Sequence, residues 1–251
     1  MRTQNSLDPE QGVTLPQVVD DIIRTAMDEG RSALLEPEAK RVCAAYGMPT
    51  PEFRIAQSSD EAGKLAETVS FPVVLKIISP DIMHKTESGG VLLELNSKDQ
   101  VRQGYDQILT KVRAYSDKAR IEGVLVQHMA PRGVEVIIGG LQDSQFGPTV
   151  LFGLGGIFVE VLKDASFRVA PITALDCEQM IHEIHSYPIL KGVRGQSASD
   201  ENAIVTILEA TSKAMVENRL IQQMDLNPVT VYGTGASVVD ARIILSHSAN
   251  Q

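Results

Sequence analysis

Tryptophan is absent from this chain of 251 residues, aromatic side chains make up only 4% of it, and cysteine occurs twice. A core must therefore be built from aliphatic side chains. The two cysteines, Cys43 and Cys177, stand far apart with no CxxC pair. That excludes a disulfide framework and a thiolate metal site, and a reducing cytoplasm fits best. No run of about 18 apolar residues occurs, and the amino-terminal MRTQNSLDPEQG is polar, so neither a membrane span nor a secretion signal is read. Positive charge is also scarce. With 23 basic against 32 acidic side chains the net charge is -9, which argues against nucleic acid and anionic membrane surfaces as partners, because both need clustered cations.

Several common catalytic motifs are missing as well. The only Gly-Lys pair, Gly63-Lys64, is followed by Leu65, so there is no phosphate-binding P-loop. Gly153, Gly155 and Gly156 are followed by Phe158 where a dinucleotide fingerprint needs glycine. His182 and His185 flank Glu183 at a spacing of three rather than four, which reads as a solvated helix face and not as a zinc site. GxSxG does not occur, which excludes a nucleophile elbow.

What the chain does have is 43% hydrophobic residues, gathered in helix-like and strand-like blocks. Residues 1–15 read as a mobile polar leader, and 16–34 as a helical extension ending near Gly30. A helix is predicted over Glu36 to Ala45, and another from a capping start at Ser58 to about Ser70, where a side-chain oxygen can satisfy orphan amides. A buried strand over Val73–Ile78, a polar loop at 79–90, a strand at 91–95 and a helix at 98–116 follow. Strands are then predicted at 121–129, 133–139, 149–154 and 166–172, helices at 176–191 and 200–218, and closing strands at 220–232 and 236–245. These blocks mix without strict alternation. The expected fold class is α+β, with two α/β lobes around mixed sheets.

Four places stand out chemically. Lys76 interrupts an apolar strand, where an ammonium group is costly unless it meets an anion, although a Lys snorkelling from a strand edge is the ordinary alternative. The loop HKTESGG at 84–90 sets the imidazole of His84 beside a cation, a hydroxyl and two glycines; an ordinary turn would look similar. Gln127, His128 and Met129 end a strand, with Glu135 on the next, a layout that suits a purine edge and a ribose but also any strand pair. Asp225 and Asn227 share one face of a strand, and Asp240 lies on the other arm of a plausible hairpin. Such oxygen donors suit Mg²⁺, against the plainer reading of solvated strand carboxylates.

In this order the segments FPVVLKIISPDIMHKTESGGV (71–91), EGVLVQHM (122–129), GVEVIIGG (133–140), FGPTVLFGLGGIFVEVLKDASFRVAPI (146–172), LNPV (226–229) and VVDARI (238–243) resemble the ATP-grasp (β) subunit of ADP-forming acyl-CoA synthetases, from about Leu35 to Leu245. The resemblance implies an ATP-grasp fold with nucleotide bound between the sheets of an amino-terminal lobe, 35–126, and a carboxy-terminal lobe, 127–251. It implies that Lys76 holds ATP phosphates, that Gln127, His128 and Met129 form the adenine hinge, and that Glu135 helps bind nucleotide. Asn227 and Asp240 would hold Mg²⁺. His84 would carry the phosphoryl group transiently, with Asp225 orienting it or approaching the metal; many ATP-grasp proteins have Glu at this point. Gly153, Gly155, Gly156, Asp164 and Arg168 match the family's glycine-rich stretch and its sequel, expected near the phosphates or the partner's loop.

The implied reaction is reversible conversion of ATP, a carboxylic acid and CoA to acyl-CoA, ADP and phosphate. The CoA-binding half of that family is missing here, which implies a separate α subunit that handles CoA in a hetero-oligomer. Two other readings compete. One is an ATP-grasp ligase that activates a carboxylate without a partner; the other is a catalytically idle nucleotide-sensing subunit.

Overall fold

The structure is a computed structural model that describes residues 15–156, 164–193 and 197–246. In chain order its elements are α1 (Leu15–Asp28), α2 (Glu36–Ala45), β1 (Phe53–Ala56), α3 (Ser59–Val69), β2 (Val73–Ile78), β3 (Val91–Leu95), α4 (Lys98–Tyr115), β4 (Gly123–His128), β5 (Val134–Asp143), β6 (Gly147–Leu154), β7 (Ala165–Val169), α5 (Ala174–Glu183), α6 (Tyr187–Leu190), α7 (Glu201–Glu217), β8 (Ile221–Val231), β9 (Ala236–Val238) and β10 (Ala241–Leu245). The leader expected at 1–15 lies almost wholly outside the described residues.

Residues 51–130 form one compact unit, and 13–50 with 131–251 form the other. This division departs from the expected boundaries at 35 and 126. Helix α2 stays with the second unit because its apolar face, Ala39, Val42 and Cys43, enters that unit's core together with Val19, Ile23 and Ala26 of α1. Helix α2 also carries a fully buried pair, Lys40 Nζ to Glu36 Oε1 at 2.8 Å. Its first turn is fixed by Glu38, whose carboxylate accepts the Leu35 N–H at 2.8 Å and the Arg31 guanidinium at 2.7 and 2.8 Å.

In the first unit four strands run in the order β1-β4-β2-β3. Helices α3 and α4 start where the side chains of Ser58 and Ser97 accept N–H groups of Glu61 and Gln100, which satisfies amides the first turn leaves open. Their apolar stripes, Ala62, Ala66 and Val69 on α3 and Val101, Tyr105, Ile108 and Val112 on α4, meet Val73, Leu75, Ile77, Val124 and Val126 of the sheet. Burying each of the larger aliphatic groups is worth about 1.5–3 kcal/mol.

The second unit is built on a sheet ordered β10-β8-β5-β6-β7, with β9 continuing the β10 side of β8. Its helices share one core against one sheet face, the face of Val136, Ile138, Val150, Phe152, Met224, Leu226 and Ile243. All strand pairings in both units are antiparallel. The sheets are thus not mixed as expected, because hairpins and long returns connect the strands instead of parallel crossovers. The helix expected over 176–191 is also split. At Ile184 the backbone is extended, and the buried carboxylate of Asp164 accepts the N–H groups of His185 and Ser186 at 2.7 Å, replacing the helical bonds they would make.

Candidate functional site

In the first unit, every residue of β2 is buried, Lys76 included at 6% exposure. Lys76 stands opposite Leu125 of β4, and Val74 opposite Gln127. Side chains alternate across a strand, so Lys76 and Gln127 share the sheet face that α3 and α4 do not cover. Gln127 is itself fully buried. His128, one position on, points to the other face, where its Nδ1 meets the Ser70 carbonyl at 3.0 Å. The N–H groups of His128 and Met129 donate to the carbonyls of Glu52 and Pro72, both at 2.9 Å. Any purine edge at this segment therefore meets backbone whose two amides are already committed.

Strand β2 runs directly into the loop that carries His84. Ile82 is buried in the unit's core, Ser88 is buried, and the residues between them are largely exposed, His84 among them. The far side of the loop is braced. Ser88 N–H donates to His84 O at 3.2 Å, Ser88 Oγ donates to Lys85 O at 2.9 Å, and Gly90 N–H donates to Lys85 O at 2.7 Å. Gly90 has no room for a side chain: a Cβ there would lie 2.4 Å from Ile77 Cγ2. Glycine at this point lets the turn close onto β2, where Ile77 N–H donates to Gly90 O at 2.7 Å.

In the second unit, the sheet face that no described helix covers, the helix-free face, gathers acids. Asp225 of β8 lies between Gly139 of β5 and Arg242 of β10 in register. The pairing of β8 with β5 then slips by one residue, so that Asn227 and Pro228 form a bulge. On the other side the Asn227 N–H donates to Asp240 O at 3.2 Å, and Asp240 interrupts β9 and β10. Asp225, Asn227 and Asp240 are thereby brought together. Burial pushes the Asp225 carboxyl above its ordinary value, Arg242 opposes that push, and the Asp240 charge adds to it. Arg242 was not singled out from the sequence, although it sits within the VVDARI segment; only the strand register places it beside Asp225.

Among the described residues no three His, Cys, Asp or Glu side chains converge as a metal site of their own. Two carboxylates and an amide oxygen are present instead. That set suits Mg²⁺, which is held by one or two carboxylates with substrate phosphates and water completing the shell.

Glu135 is exposed on the same helix-free face, opposite Thr230. Its carbonyl accepts the Gly155 N–H at 2.7 Å, and a Cβ on Gly155 would sit 3.0 Å from that oxygen, so the close backbone approach accounts for this glycine. Gly156 has φ +69, which favours glycine for conformation alone. Arg168 is placed elsewhere. It pairs in register with Val150 and lies on the helix-covered side, where its guanidinium grips the Glu183 carboxylate of α5 at 2.7 and 2.8 Å. Asp164 is likewise occupied with the α5–α6 turn, and also meets His185 Nδ1 at 3.3 Å. No helix among the described residues is long and apolar enough to cross a membrane.

Comparison with known proteins identifies the family and the fold. Residues 25–245 match a family model described as an ATP-grasp domain, so the match reaches back into α1, ahead of Leu35. The chain is 45% identical over 225 residues to the β subunit of ADP-forming acetate–CoA ligase I of Pyrococcus furiosus, covering 90% of this chain and 97% of that one. It is 43% identical to ADP-forming acetate–CoA ligase I of Archaeoglobus fulgidus, covering 90% of this chain but 33% of that longer one. Among solved structures, acetyl-coenzyme A synthetase 1 of Ca. Korarchaeum cryptofilum superposes with a TM-score of 0.81 at 46% identity, covering 91% of this chain and 100% of that one. That structure holds coenzyme A and Mg-AMPPCP, with a phosphohistidine segment pointing towards the nucleotide-binding site.

Proposed function

Because the chain belongs to the ATP-grasp family, among the β subunits of ADP-forming acetate–CoA ligases, we propose that it is the nucleotide-binding subunit of an ADP-forming acyl-CoA synthetase. Its reaction is the reversible conversion of ATP, a carboxylic acid and CoA into acyl-CoA, ADP and phosphate. The observation that carries this reading is the convergence of Asp225, Asn227 and Asp240 at one bulge of an otherwise regular sheet. An acid pair on a strand face is costly to fold around and finds its use in holding a cation.

Phosphoryl transfer asks a protein for positioning and charge neutralisation more than for covalent chemistry. Lys76, held nearly dry on a rigid strand, supplies a cation to nucleotide phosphates at low reorganisation cost. Gln127 and Glu135 contribute to nucleotide binding, Gln127 from the same sheet face as Lys76. Asn227 and Asp240 hold Mg²⁺, which when bound neutralises phosphate charge. Asp225 acts beside them, and His84 accepts the phosphoryl group from its exposed loop and passes it on. Gly155 and Gly156 shape the backbone next to Glu135. Arg168 contributes to this region through its hold on α5 and not by direct contact, since its fork is filled by Glu183.

The length comparison supports a partner. A relative in which the matched region is one third of the chain carries further modules, and the β-subunit relatives by name assemble with another subunit. We infer that a CoA-binding α subunit completes this enzyme. Buried free thiols at Cys43 and Cys177, both pushed up to about 12 chiefly by burial, suit a reducing cytoplasm.

The test is acyl-CoA formation by the chain copurified with its native partners. Turnover should require MgATP, CoA and an acid together, and His84→Asn should abolish it while MgATP still binds. Full turnover in His84→Asn would refute the relay, and sustained ADP production beyond one equivalent per chain without CoA and acid would refute the synthetase reading.

A further inference from the structure

The loop that carries His84 is held at its near end by a contact that nothing so far has given a role. Asp81, three residues ahead of His84, accepts three N–H groups from one residue. Arg120 donates its backbone N–H to Oδ2 at 2.8 Å, its Nε to Oδ2 at 3.1 Å and its Nη2 to Oδ1 at 3.0 Å. Those bonds lower the pKa of the Asp81 carboxyl from its ordinary value, the side-chain bonds from Arg120 most of all. Arg120 lies just ahead of β4, and two residues on, the Glu122 N–H donates to Ile78 O at 2.8 Å. Asp81 N–H in turn donates to Ser79 Oγ at 3.1 Å. The chain leaving β2 is thus stitched at successive points to the chain entering β4.

A pair this exposed adds little to stability. The Arg120 side chain is 60% exposed and that of Asp81 36%, and surface ion pairs contribute on the order of 0–1 kcal/mol. Its geometry serves direction instead. A carboxylate that accepts a planar two-pronged donor and an amide from the same residue has its position and orientation fixed together. Ile82 sinks into the core, Ser88 and Gly90 close the far side, and His84 projects from the short span between the two anchors.

We propose that Asp81, clamped by Arg120, is a positioning residue that holds the His84 imidazole in line for phosphoryl transfer. The inference rests on the reading of His84 as phosphoryl acceptor. In that step the lone pair of a ring nitrogen attacks the γ-phosphorus, the bond from that phosphorus to the β–γ bridging oxygen breaks, and ADP leaves with the electron pair. The proton on the other ring nitrogen passes to solvent. A nucleophile displaced by about 1 Å from in-line geometry can lose about 100-fold in rate.

The experiment follows phosphate label from γ-labelled MgATP onto the chain, copurified with its native partners, on a millisecond scale. Asp81→Ala and Arg120→Met should each slow labelling about 10- to 100-fold, with MgATP affinity and the unfolding midpoint unchanged. The exchanged pair Asp81→Arg with Arg120→Asp should recover part of the rate, which a general loss of folding would not do. If the wild-type chain is labelled at His84 and both single variants are labelled equally fast, the positioning role is overturned while the relay stands. If the wild-type chain takes no label, or His84→Asn takes it equally well, the relay falls and the positioning role falls with it.

Discussion

The two units offer their chemistry in opposite ways. In the first, the functional groups are cationic or basic: Lys76 is fixed within a buried strand, while His84 is carried on a loop that hydrogen bonds brace at both ends. In the second, the groups are acids and an amide set on β8 and on the short link between β9 and β10, beside a bulge where β8 slips by one residue against β5. A group that must receive a phosphoryl and then release it elsewhere benefits from a loop, whereas metal ligands benefit from a sheet that keeps their spacing. The difference also divides the charge. On the proposed reading, the first unit offers phosphate an ammonium directly, and the second offers carboxylates that act on a nucleotide only through a bound cation.

The largest expected effect tests whether the acid site depends on the core beneath it. Lys40→Met leaves Glu36 buried without its partner 2.8 Å away, and should cost about 3–5 kcal/mol of stability. A thermal melt should show a midpoint lower by roughly 10 °C. Adding Glu36→Gln should recover most of it. Equal melting of Lys40→Met and wild type would separate the site from its core.

Next come Asp240 and Lys76, one from each unit. Asp240→Ala and Lys76→Met should each lower synthetase kcat by about 10²–10³-fold, as removal of one preorganised electrostatic contact does. They should differ in their metal dependence. Rising Mg²⁺ should partly restore Asp240→Ala and leave Lys76→Met unchanged, and the same Mg²⁺ response in both would collapse the distinction drawn between the units.

The smallest effect concerns Asp225. Its folded carboxyl is raised by burial, so whatever stability its titration contributes is present at acid pH and is lost as pH rises through the folded value. Asp225→Asn removes that charge and should raise the neutral-pH melting midpoint slightly, by about 1–3 °C, while activity falls. The gain should vanish at acid pH, where the wild-type carboxyl is already protonated. A variant destabilised equally at both pH values would mean that Asp225 is held by contacts other than those with Arg242 and Asp240.

Much of this was legible in the residues. Apolar periodicity located β2 and β3 to the residue, and Ser58 marked the start of α3, because a local hydrogen bond decides that end. Strand alternation put Asp225 and Asn227 on one face and a hairpin put Asp240 nearby; in the structure Asp240 lies in the link between β9 and β10, where its carbonyl accepts the Asn227 N–H. What depended on distant residues was not legible. Asp164 breaks the helix expected through 191 by bonds to residues 21 and 22 positions downstream of it, and Arg168 turns to Glu183 because β7 packs beneath α5. The same holds for α2, whose assignment to the second unit is set by which core its apolar face enters. Arg120 and Asp81 lie 39 positions apart with no motif joining them, and only the pairing of β2 with β4 brings them together.

The central claim is that His84 carries the phosphoryl group. Its most direct test is incubation of the chain, copurified with its native partners, with γ-labelled ATP and Mg²⁺, followed by acid and alkali treatment. The account predicts an acid-labile, alkali-stable label on this chain that is absent from His84→Asn and discharged by added ADP. No label in the intact complex with MgATP bound, or a label that survives His84→Asn, would contradict it.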